Sequence, residues 1–190
     1  MKIKKIVDMC RREGMVNILV DDSGVQWRSN GYAFYPLHDV PTLTEDEFYT
    51  IFDFSPKQRK ETVFTRTEFP ASICNNDIHP TDLHCDRLKQ NIPFGSRLLV
   101  PFSTPSGIKF FDEEYLSPLV GETDKVEVFE RISKDGDPYF AVKVGMFLRA
   151  IIMPFNAINK SFVDNIGEIY SLCKNALINK EADQIRAFDC

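Results

Sequence analysis

No stretch of this chain approaches the roughly 20 apolar residues that a membrane-spanning helix needs, so no span is expected. The N-terminus, MKIKKIVDMCRREG, opens basic, but Asp8, Arg11, Arg12 and Glu13 interrupt any apolar leader region, so export is not expected either. Histidine is scarce, at three residues. The five cysteines are odd in number and irregular in spacing, which fits reduced thiols in a cytoplasm better than a disulfide framework. With only nine glycines, no phosphate-cradling loop is present. Neither G-x-x-x-x-G-K-[ST] nor G-x-G-x-x-G occurs, and H-E-x-x-H and G-x-S-x-G are missing too. These absences single out no catalytic residue, and a non-enzymatic protein is expected. The net charge of −5 argues against bulk coating of nucleic acid, while leaving room for a local basic face on an acidic body.

What is present describes an ordinary globular chain. At 190 residues, 43% hydrophobic and 27% charged, it fits one medium domain or two small ones with a real core. The sixteen phenylalanines should mostly lie in that core.

Periodicity and punctuation give the elements. Ile3, Ile6, Val7 and Cys10 fall at i, i+3, i+4 and i+7, one stripe of a helix that Gly14 is placed to end. MVNILVDD follows as a strand, and GVQWRSNGYAFYPL as two strands around Ser29-Asn30-Gly31. Thr44 and Glu47 form a capping box for a helix with Phe48, Ile51 and Phe52 inward, and Ser55-Pro56 is read as its stop. ETVFTRTEF alternates as a strand. Residues 70–96 hold three prolines and no periodicity and are read as a linker or long loop. Beyond it, RLLVPFS and GIKFF read as strands. DEEYLSPLVG reads as a short helix capped by Asp112, with Tyr115, Leu116, Leu119 and Val120 inward. KVEVFERI and YFAVKVGMFLRAIIMP are strands around the Lys134–Asp137 turn, with a bulge or bend at Gly145. A closing helix, capped by Ser161 and Asp164, carries Phe162, Ile166, Ile169, Tyr170 and Cys173 on its inward stripe.

Few helices and consecutive strands predict an α+β fold with mostly antiparallel sheets and three to four helices. The expected division is an N-terminal α+β half at 1–70, a linker at 71–96, and a C-terminal α+β half with the closing helix at 97–190.

Four constellations bear on chemistry. Cys74, His79, His84 and Cys85 are spaced C-x4-H-x4-H-C, whereas zinc sites use two compact ligand pairs, so no metal is expected. Cys74 or Cys85 with His38 is a conceivable nucleophile and base, but no local pattern supports the pairing. Trp27, Tyr32, Phe34 and Tyr35 match a base-stacking platform in composition, although alternate strand positions of this kind usually belong to a core. The fourth constellation is the basic helix. Lys2, Lys4, Lys5, Arg11 and Arg12 surround the apolar stripe and so are expected to face outward, either as solvated surface or as a phosphate-contacting face.

Phe111, Tyr115, Leu116, Val126, Val128 and the ending Ile151-Ile152-Met153-Pro154 lie in IKFFDEEYLSPLVGETDKVEVFERI and YFAVKVGMFLRAIIMP. This stretch, residues 108–154, resembles the last part of bacterial sliding clamps. The resemblance implies two clamp-like halves, with basic helices lining a DNA channel on an acidic protein. A clamp ring takes about six such domains and this chain supplies two at most, so a ring would require a homo-oligomer. Two features depart from that pattern: DEEYLSPLVG is acidic, and the closing helix has no clamp counterpart. GVQW, GYAFYPL, DEEYLSPL and IIMPFNAIN also resemble a family of small prophage proteins of Firmicutes. That resemblance implies a phage gene expressed in a bacterial cytoplasm, and implies no activity.

The expected function is therefore a phage-encoded binding protein, an accessory of DNA replication or recombination. Its partner would be duplex DNA, or a nucleic-acid-handling protein, at the basic helix; no cofactor is expected. The alternative is an inhibitor of a host defence system, of the anti-CRISPR type, occupying the cationic groove of a nuclease. Gln184–Phe188 loosely resembles a clamp-binding peptide.

Overall fold

The first helix forms as its stripe requires. In the computed structural model, which describes residues 1–38, 40–121, 125–156 and 160–188, α1 runs Ile3–Glu13. Ile6, Val7, Met9 and Cys10 are buried and Ile3 is partly so. Gly14 takes a left-handed φ of 64° and turns its N–H back to the Arg11 and Cys10 carbonyls, ending the helix in the way open to glycine at least strain.

Three strands follow: β1 (Met15–Val20), β2 (Gln26–Ser29) and β3 (Ala33–Leu37). At the β2–β3 turn the Asn30 side-chain oxygen accepts from the Tyr32 and Ala33 amides, and Gly31 has φ 91°. Helix α2 (Glu45–Ile51) starts on the Thr44/Glu47 capping box. Ser55-Pro56 is not merely a stop. Ser55 caps a further helix, α3 (Pro56–Glu61), whose first position suits the proline ring. The inward face of α2 is also rotated from expectation: Phe48 and Tyr49 are buried, Phe52 is half-buried, and Ile51 is 57% exposed. Seven residues make barely two turns, and the sharp exit toward Phe54 places Tyr49 on the core side.

Strand β4 (Val63–Glu68) then pairs parallel with β1, Met15 opposite Val63. Next come β5 (Leu83–His84), β6 (Asp86–Arg87), β7 (Ile92–Phe94), β8 (Arg97–Thr104) and β9 (Gly107–Asp112). A 3-10 helix, Glu113–Leu119, precedes β10 (Val126–Ile132), β11 (Pro138–Val144) and β12 (Phe147–Ile152). An eight-stranded sheet has the order β4-β1-β2-β3-β12-β11-β10-β5, and in a four-stranded sheet β8 is flanked by β6, β7 and β9. Every pairing but β1–β4 is antiparallel, so the fold is α+β with mostly antiparallel sheets, as expected. The described residues hold four α-helices and one 3-10 helix.

The division into halves lies elsewhere than expected. Met1–Phe155 is one compact unit and Asn156–Cys190 a second. Strand β3 pairs with β12, with Phe34 opposite Ile151, so the large sheet runs across the expected boundary. The stretch read as a linker contributes β5 to the large sheet and β6 and β7 to the small one. At its centre the large sheet is buried on both faces: every residue of β11 after Pro138 is buried, Lys143 included. Phe140 and Val142 join Tyr35, Val100 and Phe111 in the main core, while Tyr139 and Ala141 join Trp27, Phe34 and Ile151 in a second cluster, onto which Phe69 and Ile73 pack.

The second unit contains α4, Lys160–Phe188, which begins before Ser161 and runs on into the tail. Its inward stripe is corrected: Ile166, Ile169, Tyr170 and Cys173 are exposed. Among the described residues of this unit no second element covers an apolar stripe. Gln184–Phe188 lies outside the residues whose side chains are described.

Candidate functional site

The five cations of the basic helix do not act alike. Lys2, Lys4 and Lys5 are exposed. Arg11 pairs with Asp8 at 2.9 Å, donates to the Phe52 carbonyl at 2.6 Å and lies 4.6 Å over the Phe54 ring. Arg12 pairs with Glu13 at 3.1 Å and with Glu114, and lies 3.9 Å from Asp112. The expectation of five outward cations thus needs correction at Arg11 and Arg12, whose charges are compensated within the fold. Three lysines on the first turns remain for an outside partner.

Arg12 leads instead to a cleft. The Lys2 amide donates to the Pro118 carbonyl at 2.8 Å, bringing the start of α1 to the 3-10 helix. Beside that helix lies a cleft of about 610 Å³, within the range of ligand and anchor sites. Leu98, Leu116, Leu119, Val120 and Val126 form its apolar wall; Asp112, Glu113, Glu114, Ser117 and Arg87 supply polar groups. Val120, expected inward, is 61% exposed at this wall.

The rim is ordered by ion pairs. Arg87 meets Glu113 at 2.6 Å, and Arg97 meets Glu13 at 2.9 Å and the Tyr115 hydroxyl at 2.8 Å. Asp112 caps the 3-10 helix by accepting from the Glu114 amide through Oδ1 at 3.1 Å. Its Oδ2 is buried 3.7 Å from Arg97 and 3.9 Å from Arg12, with no hydrogen-bond donor among the described residues. The Ser117 hydroxyl is likewise buried, with no hydrogen-bond partner among the described residues. Burial pushes the Asp112 carboxyl above the usual range, opposed by Arg12 and Arg97. The cleft therefore offers an apolar wall beside a rim whose carboxylates face Arg12, Arg87 and Arg97, an arrangement suited to an apolar anchor side chain.

The Cys/His loop is built differently. His79 Nδ1 lies 2.8 Å from the Thr81 hydroxyl, His84 lies 3.6 Å from Asp86, and Cys85 is buried. Among the described residues, no three His, Cys, Asp or Glu side chains converge to hold a metal ion. Cys74 and His79 line one cleft of about 470 Å³, and His38 lines an adjoining one that shares Asn75 and Asn76 with it. The loop is anchored by Arg131 and Lys143. Arg131, fully buried, donates to the Asp82 carboxylate at 2.6 and 3.2 Å and to the carbonyls of Cys74 and Asn76. Lys143 meets the same carboxylate at 2.5 Å. The aromatic group is split as well: Trp27 and Phe34 pack on Phe69, Tyr35 donates to the Tyr115 carbonyl on the opposite face, and Tyr32 is exposed under Arg97.

No family model, curated protein or solved structure matches the chain. The clamp-like and prophage resemblances therefore rest on the quoted segments alone. The cleft was missed in sequence because Asp112 was read only as a cap. The available signal was an acidic run passing directly into Leu116, Leu119 and Val120.

Proposed function

We propose that this is a non-enzymatic binding protein whose partner is a protein that handles nucleic acid, engaged through the cleft beside the 3-10 helix. The observation that carries the reading is the fate of Arg12. With Arg11 and Arg12 compensated internally, the helix keeps three outward lysines, too thin a face to track a duplex by phosphate contacts. The cleft combines the apolar centre and charged rim typical of protein-binding sites. The net charge of −5 favours a cationic partner surface, which nucleic-acid-handling proteins present. This is the mode of an inhibitor of a host nuclease, of the anti-CRISPR type, or of a replication accessory acting through protein contacts. The phage origin belongs to the same proposal and rests on the resemblance.

Capture from a bacterial host lysate treated with nuclease tests the reading. Wild-type bait should retain a stoichiometric protein through the treatment. Val120→Glu, at an exposed position, should lose it, and Lys4→Glu/Lys5→Glu should keep it. A partner that leaves with the nucleic acid, or that is lost only on lysine reversal, together with a salt-sensitive gel shift on duplex DNA, would return the function to DNA binding.

A further inference from the structure

Helix α4 gathers most of its apolar side chains into one stripe. At about 100° per residue, Val163, Ile166, Ile169, Tyr170, Cys173 and Leu177 fall within an arc of roughly 120°. Cys173 is exposed, and the other five are between 45% and 65% exposed. Asp164, Glu168, Ser171 and Asn175 stand on the opposite side of the helix. Leu172 borders the stripe and Ile178 lies off it. Most helical stability in proteins comes from packing such a face rather than from propensity. Gly167, inside the helix, lowers that propensity by about 1 kcal/mol. The stripe therefore calls for a cover.

The chemistry of the stripe narrows what that cover is. None of its six side chains is charged, so it selects no partner by charge. A membrane surface fits poorly, because interfacial helices carry Lys and Arg on their polar face, and here that face holds Asp164 and Glu168. An identical helix fits well. Ile166, Ile169 and Cys173 follow at steps of three and four, the spacing of a seam between two helices, with Val163, Tyr170 and Leu177 along one margin. A seam of this spacing is complementary to its own copy, as a two-fold interface requires. The area also suffices. At about 100 Å² for each of the six side chains, two copies bury roughly 1,200 Å², above the roughly 1,000 Å² that a specific interface needs. We propose that a second copy of this chain covers the stripe, the two α4 helices packing side by side along the Ile166–Ile169–Cys173 seam. The pairing is independent of the cleft and of its proposed partner.

Sedimentation equilibrium of the full chain over a wide concentration range tests the pairing. The average mass of the wild type should double from the dilute to the concentrated end. Ile166→Glu/Ile169→Glu should hold the mass of one chain throughout, and Ser171→Glu, on the opposite side of the helix, should still double. Alkylation of Cys173, followed by mass spectrometry, gives a readout that needs no variant. Its rate should fall as the wild-type concentration rises, because pairing covers the thiol. A single-chain mass at every concentration, a doubled mass that survives Ile166→Glu/Ile169→Glu, or an alkylation rate that does not change with concentration would each overturn the proposal.

Discussion

Substituting Asp82 by Asn would remove the charge on which two buried cations converge. Asp82 belongs to the loop, whereas Arg131 and Lys143 stand on β10 and β11, on the sheet face that this loop covers. Arg131 is wholly inaccessible and Lys143 nearly so, at 0% and 10% side-chain exposure. Neither can recover its hydration when the carboxylate is lost. Breaking a buried pair from one side typically costs about 3–5 kcal/mol, and here one acceptor serves two cations, which favours the upper part of that range. Acidity gives an independent measure. Burial raises the Asp82 carboxyl, but hydrogen bonds from Arg131 and Lys143, and the charge of Arg131, outweigh burial and take it from 3.8 to about 2. A carboxyl whose folded value is depressed adds stability that is full above the unfolded value and is lost as pH falls through the folded one. The loss should therefore run from about pH 4 to pH 2 and amount to roughly 2 kcal/mol, after discounting for partial solvent contact. Urea denaturation at pH 7 should show Asp82→Asn destabilised by about 3–5 kcal/mol, and the variant should lose less stability than wild type between pH 4 and pH 2. Apolar replacement of all three residues should recover part of the loss. A variant within 1 kcal/mol of wild type at pH 7, with an unchanged acid limb, would refute the reasoning.

The other predictions follow from burial and backbone geometry. Phe48→Ala should cost about 3–5 kcal/mol, since Phe48 is buried among Tyr49, Phe52, Phe54 and Phe64; Ile51→Ala on the same helix should stay within about 0.5 kcal/mol, and equal losses in denaturant melts would show the helix face to be misplaced. Tyr35→Phe should cost about 1–3 kcal/mol, because it leaves the Tyr115 carbonyl without the hydroxyl that donates to it at 2.8 Å; a neutral result in the same melts would indicate that another donor replaces it. Gly14→Ala should cost at least about 1 kcal/mol: the left-handed φ strains any Cβ, and the added carbon would lie 3.3 Å from the Glu61 carbonyl oxygen, so an unchanged midpoint would contradict the cap.

Much of the local architecture was legible in the residues themselves. The α1 stripe, the Gly14 cap, the Thr44/Glu47 box and the Asp112 cap were all readable, because each depends on partners within a few positions. The α+β class followed from the same short-range signals. Tertiary structure decided what depends on distant partners. Residues 70–96 lack periodicity because their order comes from Arg131, Lys143 and the pairings of β5, β6 and β7, none of which leaves a local pattern. Parallel pairing of β4 with β1 joins segments nearly fifty residues apart, and no turn between them announces it. The basic helix shows the same limit at the candidate site. The sequence places five cations around an apolar stripe, but only folding brings Phe52 and Phe54 to Arg11 and Glu114 to Arg12, and with them the cleft. Charge is a property of the residue, whereas whether it faces solvent or a counter-ion is set by the packing of segments far apart in the chain.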